Sequence, residues 1–228
     1  MSHCLAMITA RGGSKRIPRK NIREFCGKPI LAYSIEAARS SGVFDEIMVS
    51  TDDSEIAEIA CKYGAKVPFF RSEATANDYA STDDVIMEVL KTYEDRGEHF
   101  DGFCCIYPTA PFVTGERLKQ AMELLKDYDS VMPVVPFSYP PQRGLLISQE
   151  GYLKRQFPEY ALARSQDLEK IYHDCGQFYA CRTDVFLKEG TTDVAGQVPL
   201  ILTEMEVQDI DTLEDWEMAE IKYRKLHG

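Results

Sequence analysis

The chain has 228 residues, of which 44% are hydrophobic and 28% charged, with a formal net charge of −11. That length and composition fit one folded domain and exclude a wholly disordered chain, while the acidity argues against a broad nucleic-acid-binding surface, which needs extended positive charge. The first residues lack the basic start and long apolar run of a signal peptide, and no apolar stretch approaches the ~20 residues of a membrane span, so a cytoplasmic protein with no membrane or nucleic-acid partner is expected.

Residues 4–9 (CLAMIT) form a short apolar run that reads as a buried strand, and 29–41 carry helical spacing with proline at a favoured first-turn position. Between them lies a long basic loop. Residues 46–50 (EIMVS) read as a second strand and 53–63 as a helix closed by Gly64. Residues 82–96 are expected to be helical, 102–107 (GFCCIY) a strand, 114–127 helical and 130–135 a strand. Strands alternating with amphipathic helices specify a mostly parallel sheet covered on both faces, a three-layer α/β/α arrangement of Rossmann-like type. From 138 to 174 the rhythm breaks into a mixture of proline, glycine, aromatics and arginines, which reads as an insertion carrying function. The alternation resumes at 176–181 and 199–202 and ends in a helix over 212–225. The seven cysteines are scattered without a CxxC pair, and adjacent Cys104 and Cys105 sit in a strand-like run where thiols usually pack, so neither disulfides nor a zinc site is expected.

Six cationic residues (Arg11, Lys15, Arg16, Arg19, Lys20 and Arg23) and no acidic one fall within residues 1–23. In Arg11-Gly12-Gly13-Ser14-Lys15, directly after the first strand, the glycines let backbone N–H groups approach phosphate oxygens while Arg11, Lys15 and Lys20 neutralise a triphosphate. The loop has neither the Walker A nor the dinucleotide spacing; the plainer alternative is a basic surface turn. Near the other end, Asp209 and Asp211 are two carboxylates on one side of an extended backbone, hard ligands suited to a magnesium ion that also holds substrate phosphates. The competing assignment makes Asp211 the N-cap of the final helix with Glu214 as its partner. Asp52 and Asp53 follow the second strand, where α/β sheets place ligand residues, although Asp53 also suits a helix N-cap. Arg71, Ser81 and Thr82 form a looser group in which a hydroxyl can simply cap a helix. In the insertion, Gln142, Arg143, Arg164 and Gln166 offer hydrogen-bonding forks for a carboxylate, and His173 stands at its exit, where a structural role competes.

The segments ARGGSKRIPRKNI, GKPILAYSIEAARSSGVFDEIMVSTDD, YPTAPF, RSQDLEKIYHDCGQFY and QDIDTLEDWEMAE together resemble the CMP-sugar-acid synthetases, most closely the pseudaminic acid cytidylyltransferases, over nearly the whole chain. The resemblance implies the nucleotide-diphospho-sugar transferase type of fold, a homodimer with a small protruding dimerisation insertion over 138–174, CTP as co-substrate and Mg²⁺ as cofactor. It assigns Arg11, Gly12, Gly13, Ser14, Lys15, Lys20 and Asn21 to the CTP loop, with Arg11 and Lys20 facing phosphates. Arg71, Ser81 and Thr82 fall near cytosine and ribose, and Asp209 and Asp211 at the metal, with Arg11, Lys20 and Asp211 as the catalytic set. Tyr107, Gln142, Arg143, Arg164, Gln166 and His173 fall toward the sugar acid. Where sialic acid synthetases carry glutamine before a PTSP segment, this chain has Tyr107, which points toward the less polar pseudaminic acid. The alternatives are a CMP synthetase for N-acetylneuraminic, legionaminic or a related acid, and a nucleotide-binding regulatory module without turnover.

Overall fold

The structure, a computed structural model, describes residues 3–228. In chain order its first elements are β1 (Cys4–Thr9), the two-residue strands β2 (Glu24–Phe25) and β3 (Lys28–Pro29), α1 (Ile30–Ser41), β4 (Glu46–Ser50) and α2 (Ser54–Tyr63). A single turn α3 (Glu73–Ala76), α4 (Thr82–Asp95), β5 (Gly102–Ile106), α5 (Gly115–Leu124) and β6 (Ser130–Pro136) follow. The insertion contributes a hairpin, β7 (Leu145–Ile147) with β8 (Leu153–Arg155), and β9 (Tyr172–Asp174). The chain then runs through β10 (Phe178–Arg182), α6 (Thr183–Glu189), β11 (Gln197–Ile201) and α7 (Leu213–His227).

The main sheet has the order β11-β6-β10-β5-β1-β4, with β9 added to β6. Strand β1 lies parallel to both β4 and β5, and β11 parallel to β6, whereas β10 is antiparallel to both β5 and β6. The sequence rhythm alone suggested a simple return to the alternation at that point. The insertion instead leaves from the C-terminal end of β6 and returns at that same end through β9, so β10 enters the gap between β5 and β6 in the reverse direction.

Because side chains alternate across a strand, β1 and β5 serve both faces. Ala6, Ile8, Cys104 and Ile106 pack with Leu31 and Ile35 of α1, Ile56 of α2 and Leu118 of α5. Leu5, Met7, Phe103 and Cys105 pack against Ile86, Val89 and Tyr93 of α4 and Phe186 of α6. A third apolar cluster joins Ile17 of the basic loop, Phe25, Ile30 and Tyr33 to Ile210, Trp216 and Ala219 at the end of the chain. Ile17 and Ile210 are both essentially inaccessible. Burying them together ties the amino-terminal loop to the segment that carries Asp209 and Asp211, and each such side chain contributes roughly 1.5–3 kcal/mol relative to exposure.

All seven cysteines are free thiols, and burial pushes the Cys105 thiol up to about 12. Among the described residues no helix is long and apolar enough to cross a membrane.

Candidate active site

The basic loop leaves the C-terminal end of β1 and is held from outside by the start of α2. Gly12 N–H donates to Asp52 Oδ1 at 2.9 Å, and a Cβ on Gly12 would lie 2.8 Å from Asp53 Oδ2, so the approach requires glycine. Arg19 adopts left-handed backbone geometry with φ 55°, which costs an L-residue about 1–2 kcal/mol. Its guanidinium forks onto Asp53, with Nη1 2.5 Å from Oδ2, and onto Glu55. Asp53 also caps α2, accepting from Glu55 N at 2.9 Å and Ile56 N at 3.0 Å. The hydrogen bond from Arg19 and these backbone donors hold its carboxyl below the ordinary value near 3.8, against a smaller opposing effect of burial. Neither Asp52 nor Asp53 lines the cavity described next: they brace the loop. Inside the loop, Asn21 Nδ2 donates to Arg11 O at 2.8 Å, drawing the start and end of the turn together.

Arg11, Ser14, Lys15, Lys20, Asn21, Arg71, Ser81, Thr82 and Tyr107 all line one cavity of about 590 Å³. Gly12 and Gly13 line an adjoining groove on the outer side of the loop. Arg71 is 8% exposed. Its Nε donates to Ser50 Oγ at 3.1 Å and its Nη2 to Ser50 O at 2.8 Å. Burial lowers its pKa, with Asp52 opposing, but a guanidinium stays protonated throughout. Ser81 is the N-cap of α4 in a capping box with Asp84 and lines the cavity as well, so the two roles coexist. Thr82 Oγ1 lies 3.1 Å from the Tyr107 hydroxyl.

The segment between Arg71 and Ser81 closes one side of the cavity and was not legible as functional. Asp78 pairs with Arg11 at 2.8 Å and with Lys15, and Arg11 also donates to Asn77 O at 3.3 Å. Lys15 and Arg11 lower the Asp78 carboxyl, Lys15 foremost. The one sequence cue was Asn77, whose side-chain oxygen accepts from Tyr79 N and Ala80 N and so builds the turn that presents Asp78.

Lys20 joins the two ends of the chain. Its Nζ donates to Ile210 O at 2.6 Å and lies 3.9 Å from Asp211 Oδ1, while Arg16 Nη1 lies 2.6 Å from Asp211 Oδ2. Burial depresses the Lys20 ammonium below its ordinary value near 10.5, with Asp211 and Asp209 opposing. Asp209 and Asp211 flank Ile210, whose side chain points into the core, so both carboxylates fall on the outward side. Asp211 is not the N-cap of the final helix. That cap is Thr212, whose Oγ1 accepts from Asp215 N while Asp215 Oδ2 accepts from Thr212 N and Oγ1. The capping box begins one residue later than the Asp211–Glu214 alternative had it, because Ile210 must reach the core and Asp211 is consequently still in the incoming segment.

The insertion residues lie elsewhere. Gln142 is buried, with Nε2 donating to Glu169 O at 2.9 Å and Oε1 lacking a partner. Arg143 donates to Ser165 Oγ at 3.1 Å, Arg164 precedes the short turn over Ser165–Asp167, and Gln166 lines a groove of about 460 Å³ with Pro140 and Tyr172. None of these four lines the nucleotide-sized cavity. His173 packs its ring against Phe137 in a tilted contact with centroids 4.6 Å apart and, with Asp174 and Asp209, lines a smaller cleft of about 320 Å³.

The geometry finds counterparts among known proteins. The family model described as Cytidylyltransferase matches residues 5–189. The pseudaminic acid cytidylyltransferase of Campylobacter jejuni strain NCTC 11168 is 41% identical over 98% of this chain and 97% of its own length. The CMP-N,N'-diacetyllegionaminic acid synthase of Legionella pneumophila is 36% identical over 95% of this chain and 94% of its own. In three dimensions, a solved structure of CMP:2-keto-3-deoxy-manno-octonic acid synthetase complexed with CTP superposes with a TM-score of 0.71, covering 98% of this chain and 99% of that one at 18% identity, a likeness of fold.

Proposed function

The chain belongs to the cytidylyltransferase family, and from that premise we propose that it transfers CMP from CTP to the anomeric hydroxyl of pseudaminic acid, releasing pyrophosphate. The observation that carries the reading is the junction at Lys20, where the cationic turn reaches the carboxylate-bearing segment near the other end of the chain: Nζ donates at 2.6 Å to the carbonyl of Ile210, which stands between Asp209 and Asp211, and lies 3.9 Å from Asp211 Oδ1. The named substrate rests on the identity to the Campylobacter relative over almost the full length of both chains and on Tyr107 at the cavity wall.

In this reading the triphosphate lies along Arg11, Lys15 and Lys20, and its arrival displaces Asp78 from the two cations it now neutralises. Arg71, Ser81 and Thr82 face the base and ribose. The sugar hydroxyl attacks the α-phosphorus, a new P–O bond forms, the bond to the β-phosphate oxygen breaks, and the hydroxyl proton passes to solvent. Catalysis of this kind is mostly positioning and charge stabilisation. Lys20 and Arg11 offset the charge that develops on the departing pyrophosphate.

Asp209 and Asp211 are the residues that would hold Mg²⁺. Their chemistry fits it: the pair is carboxylate-only and faces outward beside the phosphate loop. Mg²⁺ keeps most of its shell as water and substrate oxygen and needs only one or two protein carboxylates, so the lack of a larger ligand cluster among the described residues is compatible with it. When bound, the ion would neutralise phosphate charge and raise the acidity of an oxygen it contacts.

The same reading makes the enzyme a cytoplasmic homodimer that associates through residues 138–174. Leu145, Leu146, Ile147, Tyr152 and Leu153 are exposed on the β7–β8 hairpin, and Arg143, Arg164 and Gln166, remote from this chain's own cavity, would then act on the neighbour's sugar. The test is pyrophosphate release, which should require CTP, a sugar acid and Mg²⁺ together and stop with EDTA. Release without the sugar acid, or none with all three, contradicts the proposal.

A further inference from the structure

One wall of the nucleotide-sized cavity cannot hold itself in place. Helix α3 is a single turn of four residues, Glu73–Ala76, and among them only Thr75 is buried. A turn this short is not stable alone, and its N-cap residue, Ser72, makes no side-chain hydrogen bond to it. Yet the turn carries Thr75 into the cavity lining and stands between Arg71 and Asn77, which line it as well. What fixes it is Glu88 of α4, one helical turn beyond Val85, another lining residue. Glu88 Oε1 accepts from Ser72 N at 2.9 Å, and Glu88 Oε2 accepts from Ser72 Oγ at 2.6 Å and from Thr75 Oγ1.

With so little apolar surface buried by the turn, these three hydrogen bonds decide where it sits. Burial by itself would raise the Glu88 carboxyl, but the donors on Ser72 and Thr75 outweigh it and hold the group below its ordinary value near 4.5, so it is ionised at neutral pH. Arg71 N–H donates to Thr51 O at 2.8 Å. The peptide before Arg71 is thus anchored at the end of β4, and the peptide after it on α4. The next tie to the basic loop comes only at Asn77, whose carbonyl accepts from Arg11 at 3.3 Å. Glu88 itself does not line the cavity.

We propose that Glu88 is a positioning residue for CTP: by clamping Ser72 and Thr75 onto α4, it sets the spacing between the wall that carries Arg71 and Thr75 and the wall that carries Ser81 and Thr82. It acts through these residues and touches no ligand. Its two oxygens have different partners, which makes the role chemically specific. Oε1 meets a backbone N–H, which can only donate, whereas Oε2 meets two hydroxyls, which donate or accept. Glutamine can therefore serve all three, with its carbonyl on Ser72 N–H and its amide hydrogens on the two hydroxyl oxygens; alanine serves none. The inference rests on the CTP reading given above.

The experiment measures Kd for CTP with Mg²⁺ by calorimetry, kcat and sugar-acid KM at saturating CTP, and Tm, for Glu88→Ala, Glu88→Gln and Ser72→Ala. Loss of the clamp in Glu88→Ala predicts a CTP Kd about tenfold higher, the factor that one hydrogen bond to a charged group supplies, with kcat and sugar KM changed less than about threefold. Glu88→Gln should bring CTP Kd back to within about twofold of the parent. Ser72→Ala removes one of the three donors and should raise CTP Kd about threefold; it keeps the question answerable should Glu88→Ala fold poorly. A role in stability alone would lower Tm and leave CTP Kd, read well below Tm, at the parent value. A parental CTP Kd in either Glu88→Ala or Ser72→Ala, equal losses in Glu88→Gln and Glu88→Ala, or a change confined to sugar KM would overturn the proposal. A parent protein that binds no CTP overturns the underlying function instead.

Discussion

Replacing Lys20 with alanine separates its charge from its structural part. The ammonium sits at the cavity edge, with one hydrogen bond of 2.6 Å to Ile210 O and Asp211 3.9 Å away. A hydrogen bond to a charged group contributes about 1.5–3 kcal/mol, and each 1.36 kcal/mol is tenfold in rate, so turnover at saturating CTP should fall about 10- to 150-fold. Stability should move little, because two effects oppose each other. The Ile210 carbonyl loses its donor, but the shortened side chain lets cavity water reach it. Meanwhile a half-buried ammonium is removed: because partial burial depresses the folded-state pKa, the charge costs stability at neutral pH, and that cost disappears only as pH rises through the depressed value toward 10.5. Pyrophosphate release and thermal unfolding measure the two quantities on the same samples. The depressed pKa also predicts an alkaline fall in kcat/KM below pH 10.5, where the free enzyme loses this proton, and the fall should move to higher pH in Lys20→Arg. Turnover within twofold of the parent in Lys20→Ala, with the fold intact, would refute the place given to the loop in the chemistry.

Neighbouring positions Asp211 and Thr212 should part company: Asp211→Asn leaves the helix cap intact and should lower turnover on the order of 100-fold with little change in Tm, while Thr212→Ala should cost about 0.5–2 kcal/mol of stability and leave kcat near the parent value. Steady-state kinetics and unfolding curves on the two variants check the contrast. Gly12→Ala would press a methyl against Asp53, whose Oδ2 would lie 2.8 Å away, and should raise KM for CTP by shifting the loop, as calorimetric titration with CTP would register. Because Arg19 holds the folded-state pKa of Asp53 below 3.8, the stability this pair contributes is present above that pH and is lost as pH falls through the depressed value. Acid unfolding of Asp53→Asn should accordingly be less pH-dependent in that window than that of the parent.

The elements that the sequence made legible were those with simple periodicity. The strand Cys4–Thr9 and the strand Glu46–Ser50 fall where alternation and apolar runs put them, and α2 stops at Gly64, which has φ 94°. Helix α6 went unread because its seven residues, Thr183–Glu189, carry one buried apolar side chain, Phe186, too few to set a period. The β7–β8 hairpin exposes the side chains of Leu145, Leu146 and Ile147 alike, so it shows no alternation to recognise. At the site, the cationic turn was visible because charge and glycine are local features. Asp78 was not, since its relation to Arg11 and Lys15 exists only once the chain between α2 and α4 folds back across the cavity. The pairing of Asp53 with Arg19 was likewise hidden: a residue type can announce a helix cap, but not that the same carboxylate braces a left-handed arginine 34 positions earlier.

Substrate identity is the claim on which the rest turns, and separate initial-rate series with CTP, Mg²⁺ and pseudaminic, legionaminic or N-acetylneuraminic acid measure it. The account predicts the highest kcat/KM for pseudaminic acid, with formation of its CMP conjugate and stoichiometric pyrophosphate. A higher kcat/KM for either other acid would contradict it.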